Sequence, residues 1–173
     1  TRAIEKRLDG GKKNGIIWHT QGSGKTALAF YNVRYLTDYF HRKGVVPKFY
    51  FIVDRIDLMI QAKREFSSRG LSVNTVSSKD ALLKSFKLKQ AIENQSGKPE
   101  ITVVNIQKFK DDSDTVKASD YDINTQRVYF LDEVHRSYDP KGSFLANLVS
   151  SDREAIMIGL TGTPLITGDN ISR

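Results

Sequence analysis

The sequence of 173 residues contains no cysteine, which excludes disulfide bonds and thiolate metal sites and fits a reducing cytoplasm. Its three histidines, His19, His41 and His135, are scattered and lack the H-E-x-x-H spacing of zinc sites, so we expect no zinc. The sequence also lacks an apolar run long enough to span a bilayer, and we therefore expect no membrane partner.

Acidic residues are scarce in the first part of the chain. Residues 1–70 carry 14 Lys and Arg against 6 Asp and Glu, a net charge of +8, whereas residues 71–173 carry 13 against 14, a net charge of −1. Such an uneven charge fits binding to a polyanion, although a basic solvated surface without a partner would have the same composition. The length and the 39% of hydrophobic residues fit one domain, residues 1–173, with its own core. Because the chain starts with threonine, we expect a fragment of a larger protein.

Residues 15–26 have the order of a short strand, a glycine loop and a helix that opens at Lys25. Gly22 and Gly24 permit backbone conformations that let successive N–H groups point at a ligand, and the helix N-terminus adds a positive dipole. This order predicts a phosphate-binding loop, in which Lys25 would reach the β- and γ-phosphates and Thr26 would ligate Mg²⁺. The residues predicted to bind the nucleotide are Thr20, Gln21, Gly22, Ser23, Gly24, Lys25 and Thr26.

Two carboxylates, Asp132 and Glu133, directly follow the strongly β-forming residues 127–131. Beside a phosphate loop they would supply what nucleoside triphosphate hydrolysis needs: Asp132 to hold Mg²⁺ and Glu133 to orient the attacking water. An acidic turn at the end of a strand would look the same in isolation. The presence of the glycine loop in the same chain favours the hydrolytic interpretation.

Strands and helices alternate along the chain. The patterns predict strands near residues 16–18, 48–53, 71–76, 101–104, 127–131 and 155–160, and helices near 1–9, 26–42, 54–69, 79–95 and 144–149. The alternation predicts an α/β fold with a mostly parallel sheet and helices on both faces, and ligands of such sheets bind at the carboxyl ends of the strands. On the second helix, Tyr31, Tyr35 and Tyr39 form a stripe that favours packing against a neighbouring helix or another domain over stacking on nucleic-acid bases.

Three segments, each after a predicted strand, resemble motifs I, II and III of superfamily 2 helicases and translocases. They are Gly-Ser-Gly-Lys-Thr at 22–26, Asp-Glu-Val-His at 132–135 and Leu-Thr-Gly-Thr-Pro at 160–164. Within that superfamily, the Trp-His before the loop resembles the motor subunit of type I restriction-modification enzymes. This resemblance accounts for His19, at a position where phosphate loops usually have glycine.

Two further segments extend the resemblance to nearly the whole chain. Val-Asp-Arg at 53–55, with Leu58 and Gln61, resembles motif Ia of that family, and Asn-Ile-Gln-Lys-Phe at 105–109 resembles its motif Ib. Val134 departs from the family, which more usually has alanine there.

The resemblance implies the first of two RecA-like domains of an ATP-dependent motor, which translocates double-stranded DNA before remote cleavage. It implies ATP and Mg²⁺ as cofactors, with Lys25 and Glu133 in catalysis and Asp132 and Thr26 at the metal. The residues that would couple the nucleotide state to DNA contacts are His135, Thr161 and Thr163. Contacts to the DNA backbone, which position without reading bases, fall to Arg55, Gln61, Gln107 and Lys108.

Partners are implied as well. They are the second motor domain and the nuclease domain of the same polypeptide, and the methyltransferase and specificity subunits of a restriction complex in the prokaryotic cytoplasm. The adenine-reading glutamine motif of this family would precede Thr1, and the arginines that complete the ATP site come from the second motor domain. We therefore expect the chain alone to be nearly inactive.

Two alternatives stay open at this point, whereas a nuclease centre is not expected. Another superfamily 2 DNA or RNA helicase would carry the same three motifs. A small-molecule kinase with a phosphate loop would instead have an arginine-bearing lid and an acceptor pocket. Asp139-Pro140-Lys141 has the D-x-K spacing of a nuclease half-signature, but the proline interrupts the strand that such a signature needs.

Overall fold

The structure, a computed structural model, describes residues 1–20, 22, 24–76, 78–87, 98–106, 125–132 and 152–162. In chain order its elements are α1 (Arg2–Asp9), β1 (Asn14–Trp18), α2 (Lys25–Arg42), β2 (Val46–Val53), α3 (Ile56–Ser68), β3 (Ser72–Val76), α4 (Lys79–Lys87), β4 (Glu100–Asn105), β5 (Thr125–Asp132) and β6 (Ile156–Thr161). The helix predicted near 144–149 lies outside the described residues.

The six strands form one sheet in the order β1-β6-β5-β2-β4-β3, and every neighbouring pair is parallel. The predicted α/β class with a parallel sheet is confirmed, and its layout is that of a RecA-like domain. Strand β6 lies between β1 and β5, and its register sets Trp18 beside Thr161 and Asp132 beside Leu160. The ends of the three strands that precede the predicted motifs are therefore neighbours at the carboxyl edge of the sheet.

Both faces of the sheet are covered by helices, as predicted. On one face, the stripe of Ala29, Val33 and Leu36 on α2 is fully buried, and it packs in one cluster with Phe66 of α3 and Phe130 of β5. On the other face, a second cluster is formed by Leu82 and Phe86 of α4 with Tyr50, Tyr129 and Met157 of the sheet. Burial on both sides explains the nearly continuous apolar runs of the central strands.

Strand β2 begins two residues earlier than predicted, and it contains Pro47, which the sequence had placed before the strand. A proline cannot donate a hydrogen bond to a neighbouring strand. Pairing of β2 with β5 begins at Val46, but pairing with β4 begins only at Tyr50. Pro47 therefore lies in a stretch of β2 that has a strand neighbour on one side only, where its missing N–H is tolerated.

The tyrosine stripe packs against a neighbouring helix, as predicted. The hydroxyl of Tyr35 donates to Glu5 of α1, and that of Tyr39 donates to Asp9 Oδ1 over 2.7 Å. Tyr31, the first member of the stripe, is 59% exposed. Two of the three tyrosines thus hold α1 on α2.

Candidate nucleotide-binding site

The phosphate loop connects the end of β1 to the start of α2 through two left-handed glycines. Gly22 has φ +78° and Gly24 has φ +91°, a region that other L-residues rarely adopt. A Cβ atom added to Gly22 would meet nothing within 4 Å, so the requirement for glycine there is conformational rather than steric. Gly24 is the N-cap of α2, and its carbonyl accepts from Leu28 N over 2.9 Å. The first turn of a helix directs N–H groups at this position, which suits an anion.

Lys25 and Asp132 meet at this loop although 107 positions separate them in the sequence. Lys25 Nζ lies 3.6 Å from Asp132 Oδ1, and the two side chains are 10% and 13% exposed. Lys25 begins α2 and Asp132 ends β5, so the fold brings together the cation predicted for the phosphates and the carboxylate predicted for Mg²⁺. The sequence proposed both residues, and the structure shows that they are in contact.

A cavity of about 290 Å³ opens beside this pair. Its lining includes Gly24, Lys25, Thr26 and Asp132 together with Asp54, Arg55 and Gln61 from the other side. A slightly larger cavity, about 320 Å³, lies at the amino ends of β2 and β4 and is lined by Thr37, Lys48 and Glu100 among others. Of these two cavities, only the smaller one has the loop glycines and lies at the carboxyl ends of the strands, which makes it the candidate nucleotide cavity.

Arg55 and Gln61, both predicted to contact DNA, line the same cavity as the phosphate loop. Arg55 is the N-cap residue of α3, its side chain is 52% exposed, and its Nε lies 3.9 Å from Asp54 Oδ1. Gln61 Nε2 donates to Glu65 Oε1 over 3.1 Å. The sequence gave Asp54 no separate role, although it directly follows the last residue of β2, and Asp132 is the last residue of β5. A carboxylate at the carboxyl end of a buried strand is the signal that could have identified it.

The segment after β6 is bound to the residues just before the phosphate loop. Trp18 Nε1 donates to the carbonyl of Gly162 over 3.2 Å, and His19 N donates to the carbonyl of Thr161 over 2.9 Å. Thr161, one of the predicted coupling residues, is 2% exposed. It therefore lies beside the strand that leads into the loop. The sequence gave Trp18 no function of its own.

Seven predicted site residues lie outside the described residues: Gln21, Ser23, Gln107, Lys108, Glu133, His135 and Thr163.

Within the part of the chain that the structure describes, no group of three or more His, Asp or Glu side chains could hold a metal ion by itself. A magnesium ion at Asp132 and Thr26 would thus take its remaining ligands from phosphate and water, as Mg²⁺ commonly does. Among the described helices, none is long and apolar enough to cross a membrane.

The whole chain, residues 1–173, matches the family model described as SWI2/SNF2 ATPase. A curated relative, the type I restriction enzyme SsaAORF53P endonuclease subunit of Staphylococcus saprophyticus, is 34% identical over 154 residues, which are 87% of this chain and 15% of the relative. The type I restriction enzyme SauCOLORF180P endonuclease subunit of Staphylococcus aureus is 30% identical over 154 residues, again 87% of this chain and 15% of the relative. The chain spans 11 to 16% of the length of the first such relatives.

A solved structure shares the fold. It is a nuclease-deletion mutant of the Type ISP restriction-modification enzyme LlaGI in complex with a DNA substrate mimic, and it aligns with a TM-score of 0.55 at 14% identity, over 96% of this chain and 17% of that one. The resemblance that the sequence motifs indicated is confirmed by the family match and by the identity of these relatives.

Proposed function

Because the chain belongs to the SWI2/SNF2 ATPase family, we propose that it is the ATP-binding motor domain of a type I restriction endonuclease subunit. In this proposal, ATP hydrolysis drives translocation of double-stranded DNA before remote cleavage. The contact between Lys25 and Asp132 beside the loop cavity carries the proposal, because it unites a phosphate-binding cation and a metal-binding carboxylate at one point of the sheet edge.

We propose one role for each residue of the site. The loop from Thr20 to Thr26 cradles the phosphates with its backbone, and Lys25 neutralises charge on the β- and γ-phosphates. Asp132 and Thr26 hold Mg²⁺, which when bound screens the phosphate charge. Glu133 orients the attacking water. The left-handed glycines and the cavity volume support this assignment, since both leave room for phosphate at the start of α2.

DNA is the proposed track. Arg55, Gln61, Gln107 and Lys108 contact its phosphates, and His135, Thr161 and Thr163 couple those contacts to the nucleotide. The position of Arg55 and Gln61 on the wall of the loop cavity supports such coupling, because a shift of α3 would change both sites. The net charge of +8 over residues 1–70 fits binding to a polyanion.

The remaining partners are those that the motif resemblance implies, and the names of the relatives, type I restriction enzyme endonuclease subunits, support them. We propose a second motor domain and a nuclease domain on the same polypeptide, with methyltransferase and specificity subunits completing the complex in a prokaryotic cytoplasm. The relatives are endonuclease subunits several times longer than this chain, which supports the presence of further domains.

The test is phosphate release by the full-length subunit in its complex, with and without duplex DNA. We expect stimulation by duplex and a loss of more than about tenfold in Lys25→Ala. A lysine about 4 Å from a phosphate contributes about 4 kcal/mol at an effective dielectric constant near 20, before desolvation is subtracted. Lys84→Ala is the matched control. Lys84 is an exposed lysine of α4, and α4 follows β3, the edge strand on the other side of the sheet from β1.

Three results would contradict the proposal. Stimulation by single strands alone would indicate a helicase, and dependence on a small acceptor would indicate a kinase. Turnover in Lys25→Ala above about a tenth of the wild-type value would remove Lys25 from the phosphate site.

A further inference from the structure

The residues just before the phosphate loop are bound to Thr161 and Gly162 by two adjacent hydrogen bonds. One joins backbone to backbone, from His19 N to the carbonyl of Thr161, and any residue at position 19 except proline could make it. The other joins the indole Nε1 of Trp18 to the carbonyl of Gly162 over 3.2 Å, and it requires the side chain of Trp18. Of the two connections, only the second depends on the identity of a side chain.

Burial does not explain a tryptophan at this position. Trp18 lies on the edge strand β1 and is 65% exposed. Ile16, two residues earlier on the same face of the same strand, is 62% exposed. A large aromatic side chain that leaves most of its surface in water gains little from the hydrophobic effect. Among the described residues, the specific contact of Trp18 is therefore the hydrogen bond from its indole N–H group to Gly162.

The hydrogen bond from Trp18 is accepted directly after β6, the strand that lies between β1 and β5 in the sheet. Strand β6 pairs with β1 on one side and with β5 on the other, where Leu160 is in register with Asp132. Gly162 follows the last residue of β6. A movement of the loop entrance can thus be passed through Trp18 to the backbone that follows Thr161, a residue assigned to coupling.

We propose that Trp18 is a positioning residue that makes Thr161 and Gly162 follow the phosphate loop when the nucleotide state changes. The proposal rests on the proposed function, since it needs a motor that couples ATP to DNA. One hydrogen bond that differs between two states shifts their equilibrium about two- to tenfold. Loss of the bond is expected to weaken coupling by a similar factor without removing any group that binds ATP.

The experiment uses the full-length subunit in its complex and compares wild type with Trp18→Phe, which keeps an aromatic ring and removes the donor. Steady-state ATP hydrolysis gives kcat and KM, and displacement of a triplex-forming strand gives the distance translocated. We expect the distance moved per ATP to fall about two- to tenfold in Trp18→Phe, with KM for ATP within about twofold of wild type. Ile16→Ala, the matched control on the same exposed face, is expected to keep the wild-type ratio.

A second replacement separates the donor from the shape of the ring. Benzothienylalanine at position 18 has sulfur in place of the N–H group, so it preserves size and stacking and should reproduce the defect of Trp18→Phe. If the variant with benzothienylalanine at position 18 translocates the same distance per ATP as wild type, the proposal is overturned. A parallel loss in kcat and thermal stability with the same distance per ATP would also overturn it, because Trp18 would then be only structural. A wild-type complex without DNA-stimulated hydrolysis would instead refute the proposed function itself.

Discussion

A buried ionic cluster lies near the amino ends of β5 and β6. Arg127 of β5 and Asp152, which precedes β6, are 4% and 3% exposed. Arg127 Nη2 donates to Asp152 Oδ1 over 3.0 Å, Arg127 Nε donates to Oδ2, and Tyr129 also donates its hydroxyl to Oδ2 over 3.2 Å. The cluster joins the residues before β6 to β5 at the edge of the sheet opposite the nucleotide cavity.

Removing one partner of this cluster should destabilise the domain strongly. We expect Asp152→Ala to lower the free energy of unfolding by about 3–5 kcal/mol, because it leaves the buried Arg127 guanidinium without its carboxylate. Urea unfolding of the 173-residue chain followed by circular dichroism measures the change. Glu154→Ala is the control: its exposed carboxylate pairs with Lys13, and we expect no measurable loss. Equal effects of the two substitutions would refute the importance of burial.

The ionisation of Glu100 should make the stability of the folded state depend on pH, and the sign of this effect can be derived. Burial raises the pKa of Glu100 above its ordinary value of 4.5, against the opposing effect of the bond that Asn74 Nδ2 donates to Oε1 over 2.6 Å. Because the folded state then holds the proton more tightly than the unfolded state, Glu100 lowers stability as the pH rises from about 4.5 through its folded pKa. Glutamine keeps an acceptor for Asn74 and cannot ionise. We therefore expect the stability of Glu100→Gln relative to wild type to increase between pH 4 and pH 7.

A second glutamate provides the control. The hydrogen bond from Lys13 lowers the pKa of Glu154, but this carboxylate is exposed, so its pairing with Lys13 contributes little to stability. We expect the stability of Glu154→Gln relative to wild type to stay the same between pH 4 and pH 7. Urea unfolding at both pH values measures both variants, and an equal increase in Glu154→Gln would contradict the assignment of the pH dependence to the burial of Glu100.

The sequence indicated the candidate site residues more readily than the residues that stabilise the fold. Lys25 and Asp132 could be named because phosphate and magnesium each require a particular side chain at a particular end of a strand. The pair of Arg127 and Asp152 gave no comparable pattern, since a charged residue at the start of a strand usually indicates exposure. Trp18 belongs to the Trp-His pair before the loop, but only its contact with Gly162 distinguishes its position.

Helix α1 is an element held largely by polar contacts. None of its residues is fully buried, and Ile4 and Leu8 are only partly buried against the core. Its acidic residues Glu5 and Asp9, four positions apart, accept from the hydroxyls of Tyr35 and Tyr39 on α2. Because α1 leads into β1, and β1 leads into the phosphate loop, its docking fixes the first strand from the amino side.

The two tyrosine hydroxyls should therefore determine how often α1 detaches. We expect the double substitution Tyr35→Phe with Tyr39→Phe to reduce hydrogen-exchange protection of α1 by about tenfold or more, while the central strands keep theirs. Tyr31→Phe is the matched control from the same stripe, since Tyr31 is exposed. Equal protection of α1 in the double variant and the control would show that Ile4 and Leu8 hold the helix without the hydroxyls.

Periodicity predicted most elements because it depends on local sequence. The apolar stripe of α2 and the buried runs of β2 and β5 were evident in the chain itself. The order of the strands was not, because pairing between β1 and β6 joins residues more than 140 positions apart. That pairing is what brings the first and third motifs together. The predicted fourth helix is confirmed from Lys79 to Lys87, and the rest of its predicted span lies outside the described residues.

At the scale of the whole molecule, few cations surround the candidate nucleotide cavity within the described residues. Among the described residues, Lys25 and Arg55 are the cations that line the cavity. Lys25 is paired with Asp132, and the guanidinium of Arg55 is half-exposed and 3.9 Å from Asp54. Neither arrangement matches an arginine directed at the transferred phosphoryl group, which contributes about 10³ to 10⁵ in rate in related enzymes.

We accordingly expect the 173-residue chain by itself to fold, to bind ATP weakly and to hydrolyse it at least about a thousandfold more slowly than the full complex. A cooperative urea transition would establish folding, since the described sheet and both of its helix layers are formed within this chain. Multiple-turnover phosphate release gives the rate, and Glu133→Gln in the same preparation identifies any contaminating ATPase. Turnover within about tenfold of the complex, lost in Glu133→Gln, would contradict this expectation. Arg55→Ala would then decide whether Arg55 supplies the missing charge, because it is the only other cation among the described residues that lines the cavity.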